Sequence, residues 1–229
     1  MQIIFRYLVF SAIVLFNSPS MAIQIVFGET DFNTGQKVLI RGLLEDLIDS
    51  EFSRIDSKPT RSITIYQMNR PGYFLESNFK LTRFTGAPSY KIGISPTVFD
   101  ENIPTSALQA ILAHELVHTE EYIGKSALGL IGIGLGRLGQ RNRAHHERMT
   151  DLKTIAKGFA PGLMDFRIWQ YPLLDSEQLQ KKQHEYFTPA EIEYARITLD
   201  KNPELFEWWL DGHVPLSIDA MLDDIQEHQ

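Results

Sequence analysis

Residues 105–122 read Thr105-Ser106-Ala107-Leu108-Gln109-Ala110-Ile111-Leu112-Ala113-His114-Glu115-Leu116-Val117-His118-Thr119-Glu120-Glu121-Tyr122, and the spacing within this stretch decides the architecture around it. Leu108, Ile111, Leu112, Leu116 and Thr119 recur at near-helical intervals, which predicts a packed helix. Pro104-Thr105-Ser106 is a helix start, with Thr105 or Ser106 as the expected cap. On such a helix His114 and His118 share one face, about one turn apart. Two imidazoles so placed can hold one Zn²⁺ with each nitrogen at about 2.0–2.1 Å. Glu115 then stands where it can take a proton from an activated water. The bland alternative is a helix that carries two surface histidines.

A catalytic zinc needs a third protein ligand and an open position. Candidates lie in His145-His146-Glu147-Arg148-Met149-Thr150-Asp151. Met149, Leu152, Ile155, Ala156 and Phe159 follow at helical spacing, so Glu147 and Asp151 also share a face. One carboxylate could bind zinc while the other accepts a hydrogen bond from the far nitrogen of a ligand histidine. His145 or His146 could stand in for Glu147, but adjacent helical residues point about 100° apart, so one of the three can face a metal. The chain has no cysteine, which excludes a disulfide framework, a Cys nucleophile and Cys-ligated zinc.

His114-Glu115-Leu116-Val117-His118 followed by Glu147-Arg148-Met149-Thr150-Asp151 resembles the gluzincins, metallopeptidases that add a glutamate on a second helix to a His-Glu-x-x-His helix. The resemblance is nearest to the HtpX-like group. It covers about seventy residues: an edge strand at Tyr90–Thr97, the zinc helix at Thr105–Tyr122, an insertion at Ile123–Arg143 and a second helix at Ala144–Phe159. It does not extend into the C-terminal third. The resemblance implies a zincin-like α+β fold and one Zn²⁺ held by His114, His118 and Glu147. It also implies that Glu115 is the general base and that Asp151 supports a ligand from behind. The expected activity is that of a zinc-dependent endopeptidase acting on a protein or peptide substrate. In that group an alanine usually precedes the aspartate, where this chain has Thr150. His213, Tyr186 and Tyr194 are the candidate donors to a developing oxyanion.

Length suits one domain, or one domain plus an appendage, in a chain of 229 residues. A net charge of −7 without a basic run excludes a nucleic-acid partner held through phosphates. Lys181-Lys182 and the Arg141/Arg143 pair are expected on the solvated surface. Residues 1–22 look like a signal peptide, with Arg6, the apolar run Tyr7–Phe16 and the small-x-small site Ser20-Met21-Ala22. The chain is therefore expected to be exported, to the periplasm or beyond. The expected domains are a metallopeptidase domain over 23–165 and a helical C-terminal part over 166–229.

Before the zinc helix the pattern predicts a strand at Ile23–Phe27 and a long amphipathic helix from Asn33-Thr34-Gly35, ended by Ser57-Lys58-Pro59. Strands follow at Ser62–Met68, Phe79–Phe84 and Tyr90–Ser95, with a turn at Arg70-Pro71-Gly72. Tyr90–Ser95 is either an edge that pairs with an extended peptide or a paired inner strand. The glycine-rich stretch Ile123–Gly139, with its uncharged core Ala127–Gly136, is either a buried loop or a flap that touches membrane or substrate. Beyond Phe159, helices are expected from Thr188-Pro189, from Asn202-Pro203 and over Pro215–Ile225. Two other functions fit the same residues. One is an inactive zinc-bearing binding or regulatory protein of the cell envelope, its fourth position filled by His184 or His213. The other is a metal-free interaction module. Oligomeric state is not encoded in these patterns.

Overall fold

The computed structural model describes residues 23–56, 62–80, 89–123, 125 and 139–228. The expected signal peptide, the Ser57–Pro59 helix end, most of Phe79–Phe84 and the core of the glycine-rich stretch lie outside the described residues. The fold is α+β, largely helical, with one small mixed four-stranded sheet. No described helix is long and apolar enough to cross a membrane.

Strand β1 (Gln24–Phe27) leads into helix α1 (Thr34–Ser50). Asn33 caps α1 reciprocally: its Oδ1 accepts from the Gln36 N–H at 2.9 Å, and Gln36 Oε1 accepts from the Asn33 N–H at 2.9 Å. The helix buries Ile40, Leu44, Leu47 and Ile48. It ends at Ser50 and is followed by the short α2 (Ser53–Asp56). Strand β2 (Ser62–Gln67) returns parallel to β1, the connection a crossover helix allows.

Strands β3 (Leu75–Lys80) and β4 (Ser89–Ile94) complete the sheet in the order β1-β2-β4-β3. The Tyr90 strand is therefore an inner one, parallel to β2 on one side and antiparallel to β3 on the other. Among the described strands, β3 is the edge next to it. A sheet position is set by partners distant in sequence, which alternation within one strand does not reveal.

After the short α3 (Thr97–Asp100), helix α4 (Thr105–Tyr122) runs through the centre of the molecule. Almost every residue from Ala107 to Thr119 is buried, so the helix is apolar nearly all round, as expected of one enclosed by other elements. Neither expected cap forms. Pro104 takes the cap position, and Ser106 Oγ donates instead to Asp165 Oδ2 at 2.8 Å. Ser77 Oγ and Thr119 Oγ1, 3.3 Å apart, tie the edge strand β3 to α4.

Helix α5 (Gln140–Thr154) continues through a wide turn at Ile155–Phe159 into α6 (Ala160–Gln170). Gly158 makes that turn at φ 89°, a left-handed conformation that costs glycine little. Gly162 lets α6 lie against α4: a Cβ there would sit 2.4 Å from the Ser106 carbonyl oxygen. The sheet, α1 and α4 enclose one apolar core, which includes Phe166. Leu152, Leu163, Phe187, Ile192 and Trp209 belong to a second core. The expected division at 165/166 falls within α6, the helix that joins the two. The remaining helices are α7 (Ser176–Glu185), α8 (Pro189–Lys201), α9 (Leu205–Trp208) and α10 (Ile218–Glu227).

Candidate metal centre

Helix α4 carries three titratable side chains into the interior: His114, Glu115 and His118, which are 1%, 4% and 4% exposed. Buried polar groups need partners, so what each of them meets is informative. Glu147 on α5 meets both histidines through one oxygen. Its Oε2 is 3.3 Å from His114 Nε2 and 3.2 Å from His118 Nε2. The two imidazole rings stand nearly perpendicular, at 85°. A tetrahedral ion with ligands at about 2.0–2.1 Å separates those ligands by roughly 3.3 Å. Both spacings from Glu147 Oε2 match such a ligand set, and all three donor atoms lie within 4.8 Å of one another.

The far nitrogens of both rings are also engaged. His114 Nδ1 lies 2.9 Å from Asp151 Oδ1, at an angle short of a good hydrogen bond. Asp151 is itself fully buried. Arg167 Nη2 donates to both its oxygens at 3.1 Å, and the Phe187 N–H donates to Oδ2 at 3.0 Å. His118 Nδ1 lies 3.4 Å from Thr150 Oγ1. Thr150 spends its own proton on the His146 carbonyl, at 3.0 Å, so its oxygen is left to accept from His118. Both Nδ1 atoms therefore face acceptors. The matching tautomer carries hydrogen on Nδ1 and turns both Nε2 lone pairs to the point where Glu147 stands. Thr150 thus has a contact of its own here.

Charge at the site follows from this geometry. Burial alone would raise Glu147, but His118 and His114 outweigh it and hold the carboxyl well below its usual range. Burial also pushes Asp151 up, and Arg167, His114 and the Phe187 N–H more than reverse it. Burial pushes His114 down, yet Asp151 and Glu147 together bring it up to about 9. Glu115 differs: burial raises it, and His114 and His118 only partly offset that. Its Oε2 is buried without a hydrogen-bond partner. A carboxylate of raised proton affinity beside the ligand set is suited to taking up a proton.

Of the three candidate oxyanion donors, the structure brings one to the site. The Tyr186 ring is 6.0 Å from the His114 ring, and Tyr186 lines a narrow cavity with His114 and Glu115. Burial, reinforced by Glu147, keeps its hydroxyl protonated far above pH 10. Tyr194 packs against the second core, and His213 stacks on Trp208 with ring centroids 3.5 Å apart. His184 is exposed on α7. Among the described residues neither His184 nor His213 joins a group of metal donors.

A second donor group, His118, Glu121 and His146, shares His118 with the first. Lys153 Nζ already pairs with Glu121 at 2.7 Å, and His146 stacks on the His118 ring at 5.1 Å. The group whose carboxylate meets two imidazoles is the better cation site. His145 turns away, with its Nε2 3.3 Å from the Gly212 carbonyl oxygen.

Two supporting cations are not evident from the sequence pattern. Arg167, the lone cation in Leu163–Trp169, was signalled only by its apolar company. Arg148, 3% exposed, bonds Glu191 at 2.9 Å and the carbonyls of Gln183 and His184 at 3.2 Å, fixing α5 to α7 and α8. Lys182 corrects an expectation outright. It is 6% exposed and lines the cavity beside Glu115, instead of standing on the solvated surface. Comparison with protein-family models, curated proteins and solved structures gives no match.

Proposed function

We propose that this protein is a zinc-dependent endopeptidase of the gluzincin type, with His114, His118 and Glu147 as ligands and Glu115 as general base. The observation that carries the reading is the convergence of two imidazole Nε2 atoms on one Glu147 oxygen at ligand spacing, with each Nδ1 facing an acceptor. Without a metal, His114 would have to carry a proton on both nitrogens to satisfy Asp151 and Glu147 at once. A metal on Nε2 removes that requirement.

When bound, zinc supplies Lewis acidity that polarises a carbonyl and brings the pKa of water toward about 7. Glu115 accepts the proton of the attacking water and delivers it to the leaving amine. Tyr186, protonated at neutral pH, is the donor placed to meet negative charge on the carbonyl oxygen. An extended peptide would add to the edge of β3 that no described strand pairs, which Ser77 and Thr119 hold against α4. Export, an N-terminal signal peptide and membrane-surface contact through Ala127–Gly136 belong to the same proposal.

The test is zinc content and casein hydrolysis measured side by side for wild type, Glu115→Gln and Glu147→Ala. The reading expects one zinc and activity in wild type, zinc without activity in Glu115→Gln, and neither in Glu147→Ala. Full zinc with no hydrolysis of any substrate by wild type would favour a regulatory envelope protein instead.

A further inference from the structure

Lys182 is a buried cation that forms no ion pair with any described residue. Its Nζ lies 4.0 Å from the Tyr73 ring centroid and 4.8 Å from that of Tyr186. Among the described residues these ring contacts are its only close partners; no hydrogen bond or ion pair reaches it. Of the neighbouring charges, Arg167 pairs with Asp151 and Glu147 meets the two histidines, while Glu185 pairs with Arg143 through Oε1 at 3.4 Å and leaves Oε2 buried without a hydrogen bond. Glu115 responds chiefly to His114 and His118, not to Lys182. Aromatic faces recover part of the cost of burying an ammonium, but they do not replace a carboxylate partner. Burial, with help from Arg167, brings the group down to about 8 against the opposing pull of Glu185 and Glu147.

The cavity that Lys182 lines also holds Glu115 and Gln170, and has apolar walls from Phe74, Ile111 and Phe166. Its volume is about 20 Å³, room for one water-sized group. Glu115 Oε2 and Gln170 Oε1 are both buried without donors. The cavity admits one water-sized group, so a ligand can present a single carboxylate oxygen to Lys182 there, with its amide N–H groups left at the cavity mouth. A peptide brings both at its C-terminal residue, and also at an Asp or Glu.

We infer that Lys182 anchors a substrate carboxylate beside the bond to be cut, making acidic or C-terminal peptide segments the preferred substrate class. The inference rests on the peptidase reading of the same site. Its source is either the α-carboxylate or an acidic side chain, and the two are separable by experiment.

Three acetylated octapeptides of one sequence serve as probes: amidated with Gln at each test position, amidated with Glu there, and neutral with a free C-terminus. Binding by calorimetry and cleavage by mass spectrometry are measured on zinc-loaded full-length wild type, Lys182→Arg and Lys182→Met. The expected result is that at least one carboxylate peptide binds about tenfold or more tighter than the neutral amide. The preference should persist in Lys182→Arg and vanish in Lys182→Met. Which peptide shows it identifies the source. Equal binding of all three peptides to wild type overturns the inference, and that comparison does not depend on any variant folding. Preference without cleavage would keep the anchor and remove the peptidase reading; cleavage without preference would do the reverse. Neither binding nor cleavage would remove both.

Discussion

Arg167 reaches both oxygens of Asp151 at 3.1 Å in a fully buried contact, and Asp151 in turn stands 2.9 Å behind His114. The chain of contacts runs from α6 through α5 to α4. It sets the orientation and tautomer of the His114 imidazole from the side opposite Glu147.

Removing the arginine should therefore act at two levels. Arg167→Met leaves Asp151 buried without its guanidinium partner, with a loss of about 3–5 kcal/mol in stability. Zinc affinity should fall by about 10–100-fold. Denaturant melts and competitive zinc titration check the two effects separately. Unchanged zinc affinity in a folded variant would remove Arg167 from the account.

Thr150→Ala probes the other imidazole. The acceptor facing His118 Nδ1 is lost, while the helix keeps a residue of better propensity. Zinc affinity should weaken, with stability changed by less than about 1 kcal/mol. Thr150→Ser should restore the affinity. Equal affinity in all three proteins would make the threonine incidental.

Metal-free protein should respond to pH in a defined direction. His114 is raised from 6.5 to about 9 in the fold by Asp151 and Glu147 against the opposing effect of burial. A raised folded pKa contributes stability that is fully present below pH 6.5 and lost as pH climbs through about 9. Glu115, raised by burial, acts in the same sense. Asp151 and Glu147 are lowered, so their contribution is lost instead as pH falls below the usual carboxylate range. Melting temperatures of chelator-treated protein should accordingly decline from pH 6.5 to 9. Saturating zinc should flatten that decline, because the metal holds His114 neutral. A flat profile without metal would contradict the assigned contacts.

Gly162→Ala tests the helix contact that supports the site. The new methyl would meet the Ser106 carbonyl at 2.4 Å and the Ala110 side chain at 2.8 Å. Forcing α6 away from α4 should cost about 1–3 kcal/mol. It should also weaken zinc binding through the displaced Arg167–Asp151 pair. Gly42→Ala in α1, where a Cβ meets nothing within 4 Å, is the control and should be neutral or stabilising.

How much of this was legible in the sequence depends on how local each signal is. Helices such as Asn33–Ser50 and Thr188–Lys201 carry their caps and apolar stripes within themselves, and both form with reciprocal caps. His114, His118 and Glu147 lie on helices whose periodicity is local, so the faces they share could be read and their meeting anticipated. The α+β order was equally visible. What pairing and packing decide was not. Strand Tyr90–Ile94 is interior because β3 folds back beside it. Lys182 is buried because Tyr73, over a hundred residues away, covers it. A dipeptide of lysines carries no sign of either neighbour.

The most direct test of the metal centre is zinc-edge X-ray absorption on the purified full-length chain. The account predicts a first shell of two imidazole nitrogens and oxygen donors at about 2.0–2.1 Å, with the metal lost in folded Glu147→Ala. Absence of zinc from wild type, or a shell unchanged by Glu147→Ala, would contradict it.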